Sequence, residues 1–141
     1  MKPNIYFDIN GVIEFRGFIA YKFKEFLKFL IENNYDIYWL TTHCTDGNSK
    51  SALFYLSTIT DDTELLEMFK KVKPTSWKFI KPEVFTNTAD SIWYEDRELT
   101  DTEREYLQER NISSFYRKVD LNFEPDFWVK EVDLFKKGDI I

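Results

Sequence analysis

Two patterns of apolar and polar positions open the chain. Residues 5–7 form a continuous apolar, β-prone run that stops at Asp8, which is typical of a short buried strand. Residues 21–34 instead place Phe and Leu side chains at i, i+3 and i+4 spacing, with Lys and Glu between them. This spacing predicts an amphipathic helix, which we expect to end near Asn33 and Asn34.

The same patterns recur along the rest of the chain. Apolar or β-prone runs predict further strands at residues 37–40, 91–94 and 113–119. Helical spacing predicts helices at residues 48–56, 62–72, 100–110 and 125–137. Residues typical of helix ends occur at several boundaries: Asp61 or Asp62 as an N-cap, Thr100 with Glu103 as a capping box, and Gly138 after the last helix.

Strands that alternate with helices in this order predict an α/β fold. We expect a Rossmann-like parallel sheet with helices on both faces, because the fully apolar run at 37–40 suits a strand that is covered on both sides. The chain has 141 residues, which suits one domain, and no linker or internal repeat divides it. We therefore expect a single domain over residues 1–141.

Composition narrows the possible functions. The chain carries 19 Lys and Arg against 25 Asp and Glu, a net charge of −6, and this balance argues against non-specific nucleic-acid binding. The single cysteine, Cys44, rules out an internal disulfide and a zinc cage of cysteines, and without a partner base we expect an inert thiol. No apolar run approaches the roughly 20 residues that span a bilayer, so we expect a cytoplasmic protein without a membrane partner.

Polar side chains follow three of the predicted strands, at the point where each strand ends. They are Asp8 with Asn10, Thr41 with Thr42, and Glu95 with Asp96. In open α/β sheets, ligands bind outside the carboxyl ends of the strands. We therefore expect these polar groups to meet at one edge of the sheet.

These residues carry a family resemblance. Residues 7–13, FDINGVI, resemble the first motif of the haloacid dehalogenase (HAD) superfamily, hydrophobic-Asp-x-Asp-Gly-x-hydrophobic. Residues 39–42, WLTT, resemble the second motif; Lys81 resembles the third-motif lysine, and residues 94–96, YED, the acidic fourth motif. The compact spacing is similar to that of the small HAD domains of RNA-repair proteins. Residues 95–97, EDR, also resemble the Asp-Asp-Arg of polynucleotide phosphatases.

The resemblance implies a Mg²⁺-dependent phosphatase. Asp8 would be the nucleophile that forms an aspartyl-phosphate, which water then hydrolyses. The resemblance implies that Mg²⁺ is held by Asp8, the backbone carbonyl of Asn10 and an acid at position 96 or 95, with Asp96 as first choice and Glu95 beside it or sharing the role.

Two further roles follow from the resemblance. Thr41 would donate a hydrogen bond to the phosphoryl oxygens, and Lys81 would balance charge on the aspartyl-phosphate. Lys78 competes with Lys81 for the lysine role. The gaps between motifs leave no room for a large cap domain, which implies an open site and a phosphorylated substrate such as a nucleotide or a polynucleotide end.

Asn10 departs from the family pattern. Family phosphatases usually carry a second Asp at this position, which protonates the leaving oxygen and later activates water. Asn donates a hydrogen bond but exchanges no proton at neutral pH, and loss of a general acid–base typically costs on the order of 10² to 10⁴ in rate. The alternative is therefore a catalytically impaired HAD-like domain that still binds metal or phosphate.

Structural explanations stand beside the functional ones. Residues 8–11 also fit a strand followed by an Asx turn, and the polar pairs at 41–42 and 95–96 also fit caps or turns. His43, the only histidine, is either a loop residue or a candidate proton donor. Phe15 and Phe18 suit core or lid packing, or stacking on a base.

Overall fold

The computed structural model describes residues 2–139; Met1, Ile140 and Ile141, which the expected domain includes, lie outside the described residues. The strands are β1 (Asn4–Phe7), β2 (Glu14–Phe15), β3 (Phe18–Ile19), β4 (Ile37–Trp39), β5 (Ser91–Glu95) and β6 (Ser114–Lys118). The helices are α1 (Phe23–Glu32), α2 (Lys50–Ile59), α3 (Thr63–Phe69), α4 (Asp101–Glu109) and α5 (Phe127–Lys137), with a 3-10 helix at Lys81–Val84.

The predicted α/β fold is confirmed. Strands β4, β1, β5 and β6 pair in that order as one parallel sheet, and these are the four strands that the sequence predicts. Strands β2 and β3 form a short antiparallel hairpin after β1, which the sequence pattern does not predict as strands. Among residues 2–139, no helix has the length and apolar character needed to cross a membrane.

Two helix ends lie three residues from their predicted positions, for local reasons, and the other predicted helix ends lie within two residues of the observed ones. Helix α2 continues past residue 56 to Ile59, because the hydroxyls of Ser57 and Thr58 donate to carbonyls three residues earlier and so satisfy themselves within the helix. Helix α3 ends at Phe69 rather than 72, because the next backbone N–H groups bond three residues back and tighten the chain into turns.

The helix-end signals in the sequence are confirmed. The Asp62 carboxylate accepts the Leu65 N–H at 3.0 Å, which makes Asp62 rather than Asp61 the N-cap of α3. Thr100 and Glu103 form the reciprocal capping box at the start of α4. Gly138 ends α5 with φ +73°, a left-handed conformation that glycine adopts without steric cost.

Side chains of the sheet alternate between two faces, and each face carries an apolar cluster. On the first face Phe7 stacks on Tyr94, with ring centroids 5.2 Å apart, and Trp128 meets Phe7 edge-on. On the second face Tyr6 packs against Phe85 at 4.7 Å. Helices α1, α2, α3 and α5 supply the first cluster, whereas α4 and the 3-10 helix supply the second, so helices cover both faces unequally. Each large side chain buried in this way stabilises the fold by roughly 1.5–3 kcal/mol.

Strand register positions the polar residues that follow the strands. Phe7 pairs with Tyr94 between β1 and β5, and the Asp8 N–H donates to the Tyr94 carbonyl at 3.2 Å. On the other side of β1, the Leu40 N–H donates to the Phe7 carbonyl at 2.7 Å. Asp8, Glu95 and the residues after β4 therefore reach the same edge of the sheet.

Candidate functional site

Three carboxylates form a cluster at the carboxyl edge of the sheet. Asp8 follows β1, Glu95 is the last residue of β5, and Asp96 follows it; one oxygen from each lies within 4.8 Å of the others. The Glu95 side chain is 1% exposed and the Asp8 side chain 15%, whereas Asp96 is exposed to solvent. At such a separation two unit charges repel by roughly 3–4 kcal/mol at an effective dielectric of about 20.

Lys81 is the cation inside this cluster. Its ammonium group lies 3.4 Å from Asp8 Oδ2 and pairs closely with Glu95 Oε1. Lys81 is buried at the first position of the 3-10 helix. Lys78, the competing lysine, is exposed, and its ammonium group lies over the Phe79 ring at 5.6 Å from the centroid.

Arg97 closes the other side of the cluster. Its guanidinium donates two hydrogen bonds of 2.8 Å to the Glu103 carboxylate and lies 3.8 Å from Glu95 Oε1. With Glu103 and Arg97 included, four carboxylates stand against two cationic side chains. If all of them are ionised, the group has a formal charge of −2, which a divalent cation would balance.

Two carboxyl groups of the acidic cluster, those of Glu95 and Asp96, have raised pKa values. Burial of Glu95, and then the nearby Asp8 carboxylate, raise the pKa of Glu95 to about 8, against the opposing effect of Lys81. Partial burial and then the Asp8 charge raise the pKa of Asp96. Both shifts have burial as their largest cause, and the neighbouring Asp8 carboxylate adds to each of them.

One buried oxygen of the cluster lacks a partner. Glu95 Oε2 accepts no hydrogen bond from any group within residues 2–139, although Oε1 is paired with Lys81. Buried carboxylate oxygens are normally paired, and hard oxygens are the ligands that Mg²⁺ prefers. The donor set of Asp8, Glu95 and Asp96 therefore fits a small divalent cation.

Gly11 makes room for the Asp96 carboxylate. Its φ is +77°, and a Cβ at this position would lie 2.2 Å from Asp96 Oδ2 and 2.8 Å from Asp96 Cβ. A side chain is therefore excluded both by backbone conformation and by the close approach of Asp96. The Asn-Gly pair seen as a turn in the sequence is thus also a steric requirement of the cluster.

Asn10 is held in a contact network rather than facing the carboxylates freely. Its amide nitrogen donates to the Tyr55 hydroxyl at 2.8 Å and to Glu14 Oε1 at 3.2 Å. Its amide oxygen lies 2.9 Å from His43 Nε2, and the His43 ring stacks on Tyr55 at 4.4 Å. His43 therefore joins the loop after β4 to the loop after β1.

The two threonines after β4 have different surroundings. Thr41 is fully buried, and its hydroxyl accepts the His43 N–H at 3.3 Å. Thr42 is exposed and lines the groove that contains Asp8. Of the two threonines, Thr42 lines this groove and Thr41 does not.

The carboxylates lie at the end of an open groove of about 390 Å³. Besides the acidic cluster, Lys81 and Arg97, its walls include Thr42, Trp77, Phe79 and Ile80. The sequence reading missed Trp77, Phe79 and Ile80, because residues 73–90 have neither helical nor strand periodicity. The available signal is the presence of two aromatic residues, Trp77 and Phe79, within the four positions before Lys81.

Other candidates from the sequence lie elsewhere. Phe15 and Phe18, of the β2–β3 hairpin, line a separate apolar groove with Tyr21, and Phe18 is 74% exposed. Cys44 is buried, and burial raises the pKa of its thiol, which disfavours the reactive thiolate.

Comparisons of the chain with protein-family models, with curated proteins and with solved structures find no match. Within residues 2–139, three carboxylates that are candidate metal ligands, those of Asp8, Glu95 and Asp96, lie beside the buried Lys81 and line an open groove. This combination can support transfer of a phosphoryl group to a carboxylate.

Proposed function

We propose that the protein is a Mg²⁺-dependent, HAD-like phosphatase that hydrolyses phosphate monoesters through Asp8. The observation that supports this most directly is the unpaired buried oxygen of Glu95, within a cluster that also contains Asp8, Asp96 and Lys81. The four-stranded parallel sheet, with these groups at its carboxyl edge, suits the HAD resemblance of the sequence motifs.

The proposal assigns the metal to this chain's oxygens. Asp8, Asp96 and the backbone carbonyl of Asn10 would hold Mg²⁺, and Glu95 would sit beside it or share it. When bound, the ion supplies neutralising charge between the carboxylate and the phosphate dianion. Gly11 and the Gly11–Asp96 contact support this assignment, because they bring the Asp96 carboxylate against the loop that carries Asn10.

Each protein group has a defined part in the proposed reaction. The Ile9 N–H donates to Asp8 Oδ1 at 2.8 Å and fixes the orientation of the nucleophile. Asp8 attacks phosphorus, the bond to the ester oxygen breaks, and the leaving oxygen takes a proton from water. Water then hydrolyses the aspartyl-phosphate, releasing phosphate and restoring Asp8.

Lys81 and one of the two threonines would stabilise the negative charge that develops during phosphoryl transfer. The Lys81 ammonium, 3.4 Å from Asp8, stabilises negative charge next to the transferred group. Thr41 is the family-like phosphoryl donor in the sequence, while the exposure of Thr42 in the groove favours Thr42 for the same contact. Separate Thr41→Val and Thr42→Val variants distinguish the two threonines. The variant with the larger loss of kcat identifies the threonine that contacts the phosphoryl group.

The experiment that tests the function compares wild type with Asp8→Asn. With Mg²⁺, we expect wild type to release phosphate from an aryl phosphate, a nucleotide or a 3′-phosphorylated oligonucleotide, and Asp8→Asn to lower kcat roughly 10³-fold or more. The matched control is Asp36→Asn, at the opposite edge of the sheet in a surface pair with Lys73, which should stay within about twofold of wild type. If no substrate in the set shows Asp8-dependent release, the proposal is wrong.

Asn10 supports a second candidate, a domain that binds metal or phosphate without turnover. Both ends of its amide are engaged by Tyr55 and His43, and an amide transfers no proton at neutral pH. If the protein is a decayed enzyme, Asn10→Asp should raise kcat by about 100-fold or more. Robust turnover by the wild type would exclude this second candidate. Under either candidate function we expect Mg²⁺ to raise the melting temperature of the wild-type protein, because Asn at position 10 offers the same backbone carbonyl as Asp.

The proposal also includes a cytoplasmic location and a phosphorylated partner, a nucleotide or a polynucleotide end. Residues 40–90 form α2, α3 and the 3-10 helix, which pack against the sheet and leave the groove open. An open groove suits a substrate larger than inorganic phosphate.

A further inference from the structure

A short segment beside the acidic cluster, residues 77–80, has an unusually well-fixed backbone. We call it the strap. Three consecutive N–H groups, those of Lys78, Phe79 and Ile80, donate to the Glu83 carboxylate at 2.9, 3.0 and 2.9 Å. The Trp77 N–H donates to the Thr45 carbonyl at 3.0 Å. Every backbone N–H of the strap is therefore engaged, and the arrangement is that of an amide nest around an anion.

The strap holds a phenylalanine out in solvent. Phe79 is 79% exposed, although the backbone N–H groups of the strap are all engaged. Exposed apolar side chains that lie together in a groove are typical of a binding surface, and Phe79 lines its groove together with Trp77.

Phe79 and the nucleophile share one groove. Phe79 and half-buried Trp77 form its aromatic wall, and Asp8 and Lys81 lie among its polar lining. The groove volume of about 390 Å³ falls within the range of roughly 300–1,000 Å³ for small-molecule sites. A phosphate at Asp8 therefore leaves the rest of its ester beside the strap.

We propose that the strap binds the leaving group of the substrate, and that this group carries a planar aromatic ring that stacks on Phe79. The inference rests on the proposed function and adds the chemical class of the ester. An aromatic face binds planar rings by stacking, whereas a polyol or a simple sugar gains little from it. Lys78 on the strap and Lys81 in the groove complement the negative charge that such a phosphate ester brings.

The first test measures selectivity with three esters: an aryl phosphate, a nucleoside monophosphate and ribose 5-phosphate, which has no aromatic ring. Phe79→Ala is expected to lower kcat/KM about 10- to 100-fold for the first two and to stay within twofold for ribose 5-phosphate. Phe54→Ala is the matched control, since Phe54 is 73% exposed on α2 and does not line the groove. An equal effect of Phe79→Ala on all three esters overturns the inference.

The two ringed esters separate possible sources of the ring. If Phe79→Ala lowers kcat/KM equally for both ringed esters, the preference is for any planar ring that stacks. If the loss is larger for the nucleoside monophosphate, the preference is for a nucleobase. If ribose 5-phosphate is hydrolysed in an Asp8-dependent way but no selectivity depends on Phe79, the proposed function stands and this inference fails. If no ester is hydrolysed, the proposed function fails. The stacking of a ring on Phe79 is then tested by the binding measurement described next.

Binding is measured with Asp8→Asn by tryptophan fluorescence. Trp39, Trp93 and Trp128 are fully buried, whereas Trp77 is partly exposed in the groove, so a ring that enters the groove should quench Trp77. We expect saturable quenching by a nucleoside monophosphate, none by ribose 5-phosphate, and loss of the signal in Trp77→Phe. Quenching that survives Phe79→Ala at unchanged affinity, or no quenching at all, overturns the inference.

Discussion

Single residues set the limits of the acidic cluster, and Gly11 is the clearest case. Gly11 and Gly17 both have positive φ, +77° and +85°, so alanine at either position pays a similar backbone cost. They differ in their surroundings: a Cβ on Gly11 would collide with Asp96, whereas a Cβ on Gly17 meets nothing within 4 Å. The pair therefore separates backbone strain from damage to the cluster.

We predict that Gly11→Ala abolishes or weakens Mg²⁺ binding more than tenfold, while Gly17→Ala binds as wild type does. The clash reaches the Asp96 Cβ at 2.8 Å, so a new side-chain rotamer alone does not relieve it. Calorimetric titration with Mg²⁺ measures both affinities, and thermal unfolding without metal gives the strain of each variant. Equal Mg²⁺ affinities in the two variants would contradict the role of Gly11.

At the scale of elements, the strap owes its shape to one carboxylate. The N–H groups of Lys78 and Ile80, and then that of Phe79, lower the pKa of Glu83 below its ordinary value of 4.5. The folded state therefore favours the ionised form of Glu83, which stabilises the fold above pH 4.5. This stabilisation is lost as pH falls through the pKa that Glu83 has in the folded protein.

We predict that the stability difference between wild type and Glu83→Gln shrinks as pH falls from 5 to 3. Wild type should be the more stable of the two at pH 5, because the amide replaces an anion that three N–H groups bind. Urea unfolding at each pH measures the difference. Glu105→Gln, on the exposed side of α4, controls for loss of one negative charge. A difference that stays constant over this range would show that the strap does not depend on the ionised carboxylate.

At the scale of the whole molecule, a second buried carboxylate provides a comparison for Glu95, because both of its oxygens accept hydrogen bonds. Glu131 of α5 is 1% exposed; it accepts the Tyr94 hydroxyl at 2.6 Å and the Arg117 guanidinium on both oxygens. This contact joins β5, β6 and α5. Glu95, equally buried, keeps one oxygen unpaired, and this contrast supports the proposed cation site.

We predict that Arg117→Met destabilises the protein by about 3 kcal/mol, since it leaves the Glu131 charge buried without its cation. Arg117→Met with Glu131→Gln should recover at least half of that loss, because the unpaired charge is gone and the amide oxygen can still accept the Tyr94 hydroxyl. Chemical denaturation of the two variants and wild type measures the free energies of unfolding. A double variant less stable than Arg117→Met would show that the pair stabilises beyond charge compensation.

The sequence by itself determined the elements and their order. Apolar periodicity predicted the four sheet strands and five helices, and residues such as Asp62, Thr100 and Gly138 marked their ends. These signals are local: a period of two or 3.6 residues, or a cap that bonds three residues away, is readable within one short window. Polar residues at strand ends were equally visible for the same reason.

Only the tertiary structure decided which of those residues meet. It brought Lys81 rather than Lys78 against Asp8, turned Thr42 rather than Thr41 into the groove, and joined Asn10 to Tyr55, 45 positions away. It also placed Phe79 beside the carboxylates from a stretch without periodicity. These outcomes depend on strand register and on long-range packing, and neither leaves a periodic trace along the chain.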